Sequence, residues 1–318
     1  MTVSEKRRIG VLVMSYGTPE SMDQIEAYYT HIRHGRPPTA EQLHELKSRY
    51  EAIVGGFFPL RRNTDKQVEE LQNTLRREHP DIEYVCYQGL KHAQPFIEDG
   101  VRQMAEDGIR EAVGIVLAPH YSTMSVGTYT KRAQEEADKI GLNIRFVLQY
   151  HLHSKLLQAL SERVERTLAA KFAGVPREQV RVIFSAHSLP EKILEMKDPY
   201  PEQLLETSKA IADRTGITNW QFAWQSAGQT ATPWLGPDIQ DVLRTISEEE
   251  QVRNVLMCPV GFVSDHLEVL YDIDIECQSL ARELGMHLER TESLNTDPLY
   301  METLSDVVHE QAMAFTRS

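Results

Sequence analysis

Short apolar runs recur along this chain, and each breaks abruptly into Gly, Ser, Thr or Pro. The clearest are IGVLVMS (9–15), AVGIVLA (112–118), NIRFVLQY (143–150), VRVIFSA (180–186) and NVLMC (254–258), with weaker members around Tyr87-Gln88-Gly89, Trp224-Gln225-Ser226 and MHLER (286–290). Continuous runs of this length, bounded by turn residues, predict strands buried on both faces. Between them the apolar positions fall into a helical period. Helices are predicted over roughly 20–34, 40–53, 64–78, 94–107, 127–140, 154–171, 191–196, 201–215, 235–249, 265–283 and 297–315, with Asp, Ser, Thr or Pro at their starts and Gly at their stops. Strands alternating with helices predict an α/β chain with a doubly wound, four-stranded parallel sheet flanked by helices in each half.

The pattern repeats. IGVLVMSYGTPE (9–20) matches VRVIFSAHSLPE (180–191), with Pro190 lying 171 positions after Pro19, and at that offset Tyr16 meets His187. Gln88 is matched to Gln225 and Pro119 to Pro259. The first half carries roughly 34 more residues than the second between its first two strands, an insertion at about 20–62, longer than an ordinary connection. Gly174-Val175-Pro176 suggests the boundary, giving domains 1–174 and 175–318; the pattern leaves open whether the last helix packs on the first domain. Ligands of open α/β sheets gather at the carboxyl ends of the strands, so a phenol and an imidazole are expected at equivalent strand ends, facing one cleft if the halves face each other.

Composition narrows the reading. The 318 residues suffice for two cores, and 41% hydrophobic with 25% charged residues is ordinary for a globular protein. A net charge of −13 argues against nucleic acid as partner. No apolar run reaches the ~18 residues of a membrane span, and the basic start MTVSEKRRIGVLVMSYG reads as a first strand rather than a signal peptide. Three scattered cysteines, Cys86, Cys258 and Cys277, suit buried thiols in a reducing cytoplasm better than disulfides or a Cys-bound cluster.

The chemistry concentrates in three places. In SDHLEVLYDIDIE (264–276), a regular helix puts Asp265, Glu268, Asp272 and Glu276 within about an 80° arc, with no Lys or Arg between them and apolar residues around most of the rest. A divalent cation held loosely by oxygen ligands would relieve that repulsion, against the plain reading of a solvated face. His187, in SAHSLP, stands at a strand end between Ser185 and Ser188; a Ser–His hydrolase lacks its G-x-S-x-G elbow, and Ser185 would point the same way as His187 rather than at its ring. His120, after Pro119, is a second imidazole candidate. The insertion gathers Tyr28, Tyr29, His31, Arg33, Arg36, Arg49, Tyr50, Phe57, Phe58, Arg61 and Arg62, a mixture suited either to a flat anionic ligand or to an ordinary surface hairpin. No nucleotide-binding glycine motif is present.

LVMSYGTP (12–19), YYTHIRHGRPP (28–38), GLKHAQPFIED (89–99), LAPHYSTMSVGTY (117–129), SAHSLPEKI (185–193), PWLGPD (233–238) and PVGFVSDHLEVLYDIDIE (259–276) together resemble the ferrochelatase family, which inserts Fe²⁺ into porphyrins. Tyr16, where many members carry Met, resembles the coproporphyrin branch found in Gram-positive bacteria. The resemblance implies a chelatase-like α/β fold of two Rossmann-like domains, each a four-stranded parallel sheet flanked by helices, a monomeric cytoplasmic enzyme, Fe²⁺ and coproporphyrin III as substrates, and a coproheme decarboxylase downstream. It implies His187 and Glu268 as the metal-handling pair, with Asp272 and Glu276 continuing the acidic path and Tyr16 acting in catalysis and substrate binding. Arg33, Arg49, Tyr50, Lys91, Ser122, Thr123 and Tyr129 match porphyrin-holding positions. Phe58 departs from the small polar residue usual before Pro59-Leu60, which puts one propionate hydrogen bond in question. No tightly bound cofactor or iron–sulfur cluster is expected, though an auxiliary divalent ion would suit the acidic stripe. Metallation must remove two pyrrole protons and strip water from the metal, work suited to an imidazole beside carboxylates. Protoporphyrin IX as substrate, a different tetrapyrrole taking Co²⁺ or Ni²⁺, and a carrier without turnover are the competing expectations.

Overall fold

The structure is a computed structural model that describes residues 6–317 except Val54, Phe57 and Gln229, with side chains to Phe315. Phe57 of the insertion thus lies outside the described residues. Among the described residues, eight strands form two parallel four-stranded sheets. The first holds β1 (Arg7–Ser15), β2 (Ile82–Leu90), β3 (Glu111–Val116) and β4 (Asn143–Val147) in the order β2-β1-β3-β4. The second holds β5 (Val180–His187), β6 (Trp220–Gln225), β7 (Asn254–Cys258) and β8 (His287–Arg290) in the order β6-β5-β7-β8. The orders are the same, as the repeat predicts. The central strands β1 and β5 bury nearly every residue because helices cover both faces of each sheet.

The chain divides into one unit running to Tyr150 and resuming at Asn295, and a second unit, His151–Leu294. This corrects the boundary expected at Gly174. The helix Ser154–Lys171 belongs with the second unit because Leu157, Val164 and Leu168, with Phe172 just beyond, share a core with Val180, Val182 and Phe184 of β5. Gly174-Val175-Pro176 is only the turn from that helix into β5. The last helix, Pro298–Met313, sits in the first unit: Tyr300 Oη donates to the Leu117 carbonyl at 3.1 Å, and His309 meets Tyr84 Oη at 2.8 Å.

The ladders also refine the repeat. Ser15 stands opposite Leu90 and His187 opposite Gln225, so with Tyr16 set on His187 the counterpart of Gln225 is Lys91, three residues past Gln88. Likewise Met14 opposite Val116 and Phe184 opposite Cys258 set Pro259 against Val116, not Pro119. The two proline and glutamine landmarks repeat in kind but not in level.

Strand alternation decides where the chemistry points. In β5, Val182, Phe184 and Ala186 face the core that includes the helices Ser154–Lys171 and Tyr200–Thr215. Ile183 faces the opposite core, with Val269, Ile273 and Cys277. Ser185 and His187 share Ile183's face by the period of two. In β1, Leu12 and Met14 face the helices Ile97–Glu106 and Val126–Ile140, and Tyr16 follows on that side.

Candidate active site

Two glycines bring backbone close at these strand ends. Gly17, just after Tyr16, has φ +84°, a conformation that disfavours side chains, and a Cβ there would lie 3.1 Å from Leu90 and Ala93. Gly261, after β7, donates its N–H to the Ser185 carbonyl at 3.1 Å, and a Cβ on it would lie 2.3 Å from the Cβ of Ala186.

In the second unit, His187 and Glu268 meet. His187 Nε2 lies 3.4 Å from Glu268 Oε1, with each side chain about one-third exposed, 31% and 32%. The imidazole Nδ1 contacts the Ser188 carbonyl, and the His187 carbonyl accepts from Tyr200 Oη at 3.1 Å. The other Glu268 oxygen faces His266 Nε2 at 3.3 Å, and His266 Nδ1 is anchored on the Ser264 carbonyl at 2.8 Å. Gln225, paired with His187 across the sheet, donates to the Glu268 backbone carbonyl at 3.1 Å and accepts from Ser185 Oγ at 2.8 Å. Ser185 is thereby committed to Gln225. The indole of Trp234 lies 6.3 Å from the His187 ring.

The electrostatics follow from the contact. Burial pulls His187 down, but the Glu268 carboxylate outweighs it, with the Ser188 carbonyl and Asp272 helping, and the imidazole is pushed up to about 9. Burial would raise Glu268, yet His187 and then His266 hold it well below the usual carboxylate range. At neutral pH in the metal-free protein the pair is imidazolium and carboxylate.

The acidic segment is not the single regular helix expected over 265–283. One short turn, Leu267–Leu270, leads into π-helical turns at Asp272–Cys277 and then an α-helix, Gln278–Glu283. The Glu276 N–H donates to the Tyr271 carbonyl five residues back at 3.0 Å. On a regular helix a spacing of four drifts by about 40° per step; the wider turn counters that drift, so Glu268, Asp272 and Glu276 stay closer to one line. Asp272 is buried and accepts from Ser226 Oγ. Asp265 leaves the stripe, because it precedes the first turn and is taken by Ser293 Oγ at 2.8 Å and Arg290 at 3.6 Å. No Lys or Arg stands between the acids in the sequence, but one arrives from elsewhere in the fold: Arg290 of β8 grips Asp274 bidentately at 2.7 and 2.8 Å.

In the first unit Tyr16 is 42% exposed and packs on the His92 ring at 4.7 Å. His92 Nδ1 meets His31 Nδ1 at 3.0 Å, and His31 stacks on Phe96 at 5.2 Å. Burial, then Lys91 and His31, pull His92 down to about 3, so this ring stays neutral. Lys91 Nζ lies 5.2 Å from the centre of the Tyr129 ring, and burial pulls its ammonium down, with Arg132 adding to it. Arg132 braces that strand end by a fork onto Glu98 at 2.7 Å and a bond to the Lys91 carbonyl at 2.8 Å. Tyr129 itself is buried.

The remaining porphyrin candidates divide. Arg33 lies half-buried over the Tyr29 ring at 5.6 Å and donates to the Arg36 carbonyl at 3.3 Å. Arg49 is half-buried in the helix Ala40–Ala52, whose start is fixed by a capping box between Thr39 and Gln42. Tyr50 is buried, bonded to Thr18 Oγ1 at 3.1 Å and packed on Phe58 at 4.7 Å. Phe58 thus fills a core position at the start of the helix Pro59–Glu78. Ser122 is a buried turn-builder whose carbonyl accepts from Ser125 and Gly127, leaving Thr123 exposed on the turn. Arg61 is occupied by Glu20 at 2.9 Å and the Gln94 carbonyl at 2.6 Å. His120 is buried. Reading the sequence missed His266, Ser226 and His92 as site groups; His266 had a usable signal, standing two residues before Glu268 at a helix start.

The same two-sheet fold is found in solved structures described as chelatases. Solved structures of SirB from Bacillus subtilis with Fe³⁺ (TM-score 0.62, 12% identity, 98% of both chains) and of CbiX, from siroheme biosynthesis in denitrifying bacteria (TM-score 0.54, 9% identity, 96% of this chain and 99% of that one), share the fold. A sequence model of the family described as Ferrochelatase matches residues 8–312, and the chain belongs to that family. It is 50% identical to the coproporphyrin III ferrochelatase of Geobacillus kaustophilus, over 95% of this chain and 96% of that one. It is also 50% identical to that of Halalkalibacterium halodurans, over 96% and 98%. Among the described residues no helix is long and apolar enough to cross a membrane.

Proposed function

We propose that this chain is a coproporphyrin III ferrochelatase, inserting Fe²⁺ into coproporphyrin III with release of two protons. Half-identity over nearly the full length of relatives bearing that name supports the reaction. The observation that carries the chemistry is the 3.4 Å pairing of His187 with Glu268 at a strand end, with Asp272 close enough to act on the imidazole. Fe²⁺, as substrate, passes along Glu276 and Asp272 to Glu268. Arrival of the cation offsets the carboxylate charge that holds the proton on His187. The imidazole, having lost its own proton to solvent, accepts the two pyrrole protons in turn and passes each to water as the metal enters the ring, with Glu268 assisting their removal.

The first unit holds the macrocycle. Tyr16, Lys91, Thr123, Arg33 and Arg49 supply polar groups toward the ring and its propionates, and Tyr16 is a ligand for product iron. Ser122, Tyr129, Tyr50 and Phe58 act from beneath by shaping that surface. The propionate contact doubtful at Phe58 falls to neighbouring arginines. The stripe carries its metal loosely, in passage, with an auxiliary divalent ion as a second occupant and no resident cofactor. The enzyme acts as a cytoplasmic monomer and passes its product to a decarboxylase.

The test is anaerobic incubation with Fe²⁺ and either coproporphyrin III or protoporphyrin IX, following the porphyrin absorption bands at substoichiometric protein. Multiple turnovers with coproporphyrin III are expected. Turnover favouring protoporphyrin IX would overturn the substrate assignment, and binding without turnover would overturn the enzyme.

A further inference from the structure

A second group of ligand-type side chains lies away from that site, within the first unit. Glu78 ends the helix Pro59–Glu78, His79 follows it, and Asp306 lies on the helix Pro298–Met313. One donor atom from each lies within 4.8 Å of the others, and among the described residues no other trio of His, Cys, Asp and Glu is so gathered. Two further observations single it out. Glu78 Oε2 and His79 Nε2 are buried and have no hydrogen-bond partner. Buried polar atoms in folded proteins are nearly always paired, and those that are not call for strain, reactivity, an ordered water or an ion. The imidazole is also held in place: His79 lies flat on His309, rings 3.7 Å apart and 3° from parallel, and His309 Nδ1 is tied to Tyr84 Oη at 2.8 Å. The remaining Glu78 oxygen meets Arg77 at 3.3 Å.

We propose that Glu78, His79 and Asp306 form a binding site for a divalent transition-metal ion of the Zn²⁺ class, pinning the last helix to the helix that follows the insertion. One imidazole and two carboxylates are donors such an ion accepts. With metal–ligand distances of ~2.0–2.2 Å, tetrahedral neighbours sit ~3.4 Å apart. The donors therefore close by up to about 1.4 Å, a movement within reach of the half-buried Glu78 and Asp306 side chains. Water completes the shell. The ion would bind after the chain has returned to the first unit at Asn295, so occupancy reports that return.

The probe is Zn²⁺, offered by equilibrium dialysis to metal-free protein carrying Glu268→Gln, His187→Ala, Asp272→Asn and Glu276→Gln, which removes competition from the proposed active site and its acidic stripe. One Zn²⁺ per chain is expected, with a rise in unfolding temperature. His79→Gln and, separately, Asp306→Asn should weaken binding at least about tenfold, the lower end of what losing even an outer-shell partner costs, and abolish the thermal shift. Circular dichroism of the metal-free variants checks that both fold. In the otherwise native chain His79→Gln should leave Fe²⁺ insertion unchanged. Failure of the parent protein to bind Zn²⁺, or equal affinity in both variants, would overturn the site.

Discussion

The close approach of Gly261 to Ala186 makes the position of His187 testable without touching His187. Gly261→Ala places a methyl carbon 2.3 Å from the Ala186 Cβ and 2.9 Å from its Cα. These are backbone-fixed atoms, so β5 or the turn after β7 must shift by about 1 Å to restore van der Waals contact. Overpacking of this kind costs about 1–3 kcal/mol. His187 follows Ala186, and a misplacement near 1 Å typically costs about 10²-fold in rate. Ala186→Gly alone loses one buried methyl, about 0.8 kcal/mol, and adds about 0.5–1 kcal/mol of strand glycine entropy. In the double variant the methyl clash is gone, so Gly261→Ala should cost less there, with a coupling of about 1 kcal/mol or more. Urea unfolding of all four proteins gives the cycle, and metal insertion at fixed Fe²⁺ gives the rate. Additivity within about 0.3 kcal/mol, or a Gly261→Ala protein with native turnover, would refute the claim that this contact sets the strand end.

Other consequences follow from the charges and the packing. Arg290→Met leaves Asp274 and Asp265 without their shared cation and should destabilise the second unit by about 1.5–3 kcal/mol, read by urea unfolding; an unchanged midpoint would remove Arg290's role. His92 is held near 3 by burial and neighbouring cations, against about 6.5 when unfolded, so between these values the unfolded chain binds more protons. Its contribution is lost as pH falls from 6.5 toward 3, and His92→Asn should flatten the stability slope between pH 7 and 5.5. His187 has the opposite sign: raised to about 9 by Glu268 against burial, its stabilisation is full below 6.5 and lost as pH rises through 9. In metal-free protein Glu268→Gln should erase that alkaline loss, again by urea unfolding across the window.

The elements that a one-dimensional pattern specifies were legible. Apolar runs ending in turn residues marked β1, β5 and β7, and the same period of two that buries Ile183 turns His187 toward the acidic helix. The junction at Tyr150 was not legible, because Gly and Pro at 174–176 mark a turn whether or not a core ends there. Only the packing of Leu157, Val164 and Leu168 assigns that helix. The π-helical stretch escaped notice because the positions Val269, Ile273 and Cys277, four apart, also suit a regular helix. Arg290, which draws Asp265 away from the stripe, is remote in sequence, and nothing near 265 announces it. Tyr50 and Phe58, which in the sequence suit either a flat ligand or an ordinary hairpin, pack on one another; composition does not say which side of a hairpin is covered.

The most direct measurement is Fe²⁺ insertion into coproporphyrin III by the wild-type chain and His187→Ala side by side, under anaerobic conditions, with porphyrin binding and circular dichroism measured on both. The account predicts a folded variant that still binds porphyrin and turns over at least about 10²-fold more slowly, the smallest contribution usual for a general base. A folded His187→Ala protein with wild-type turnover would contradict it.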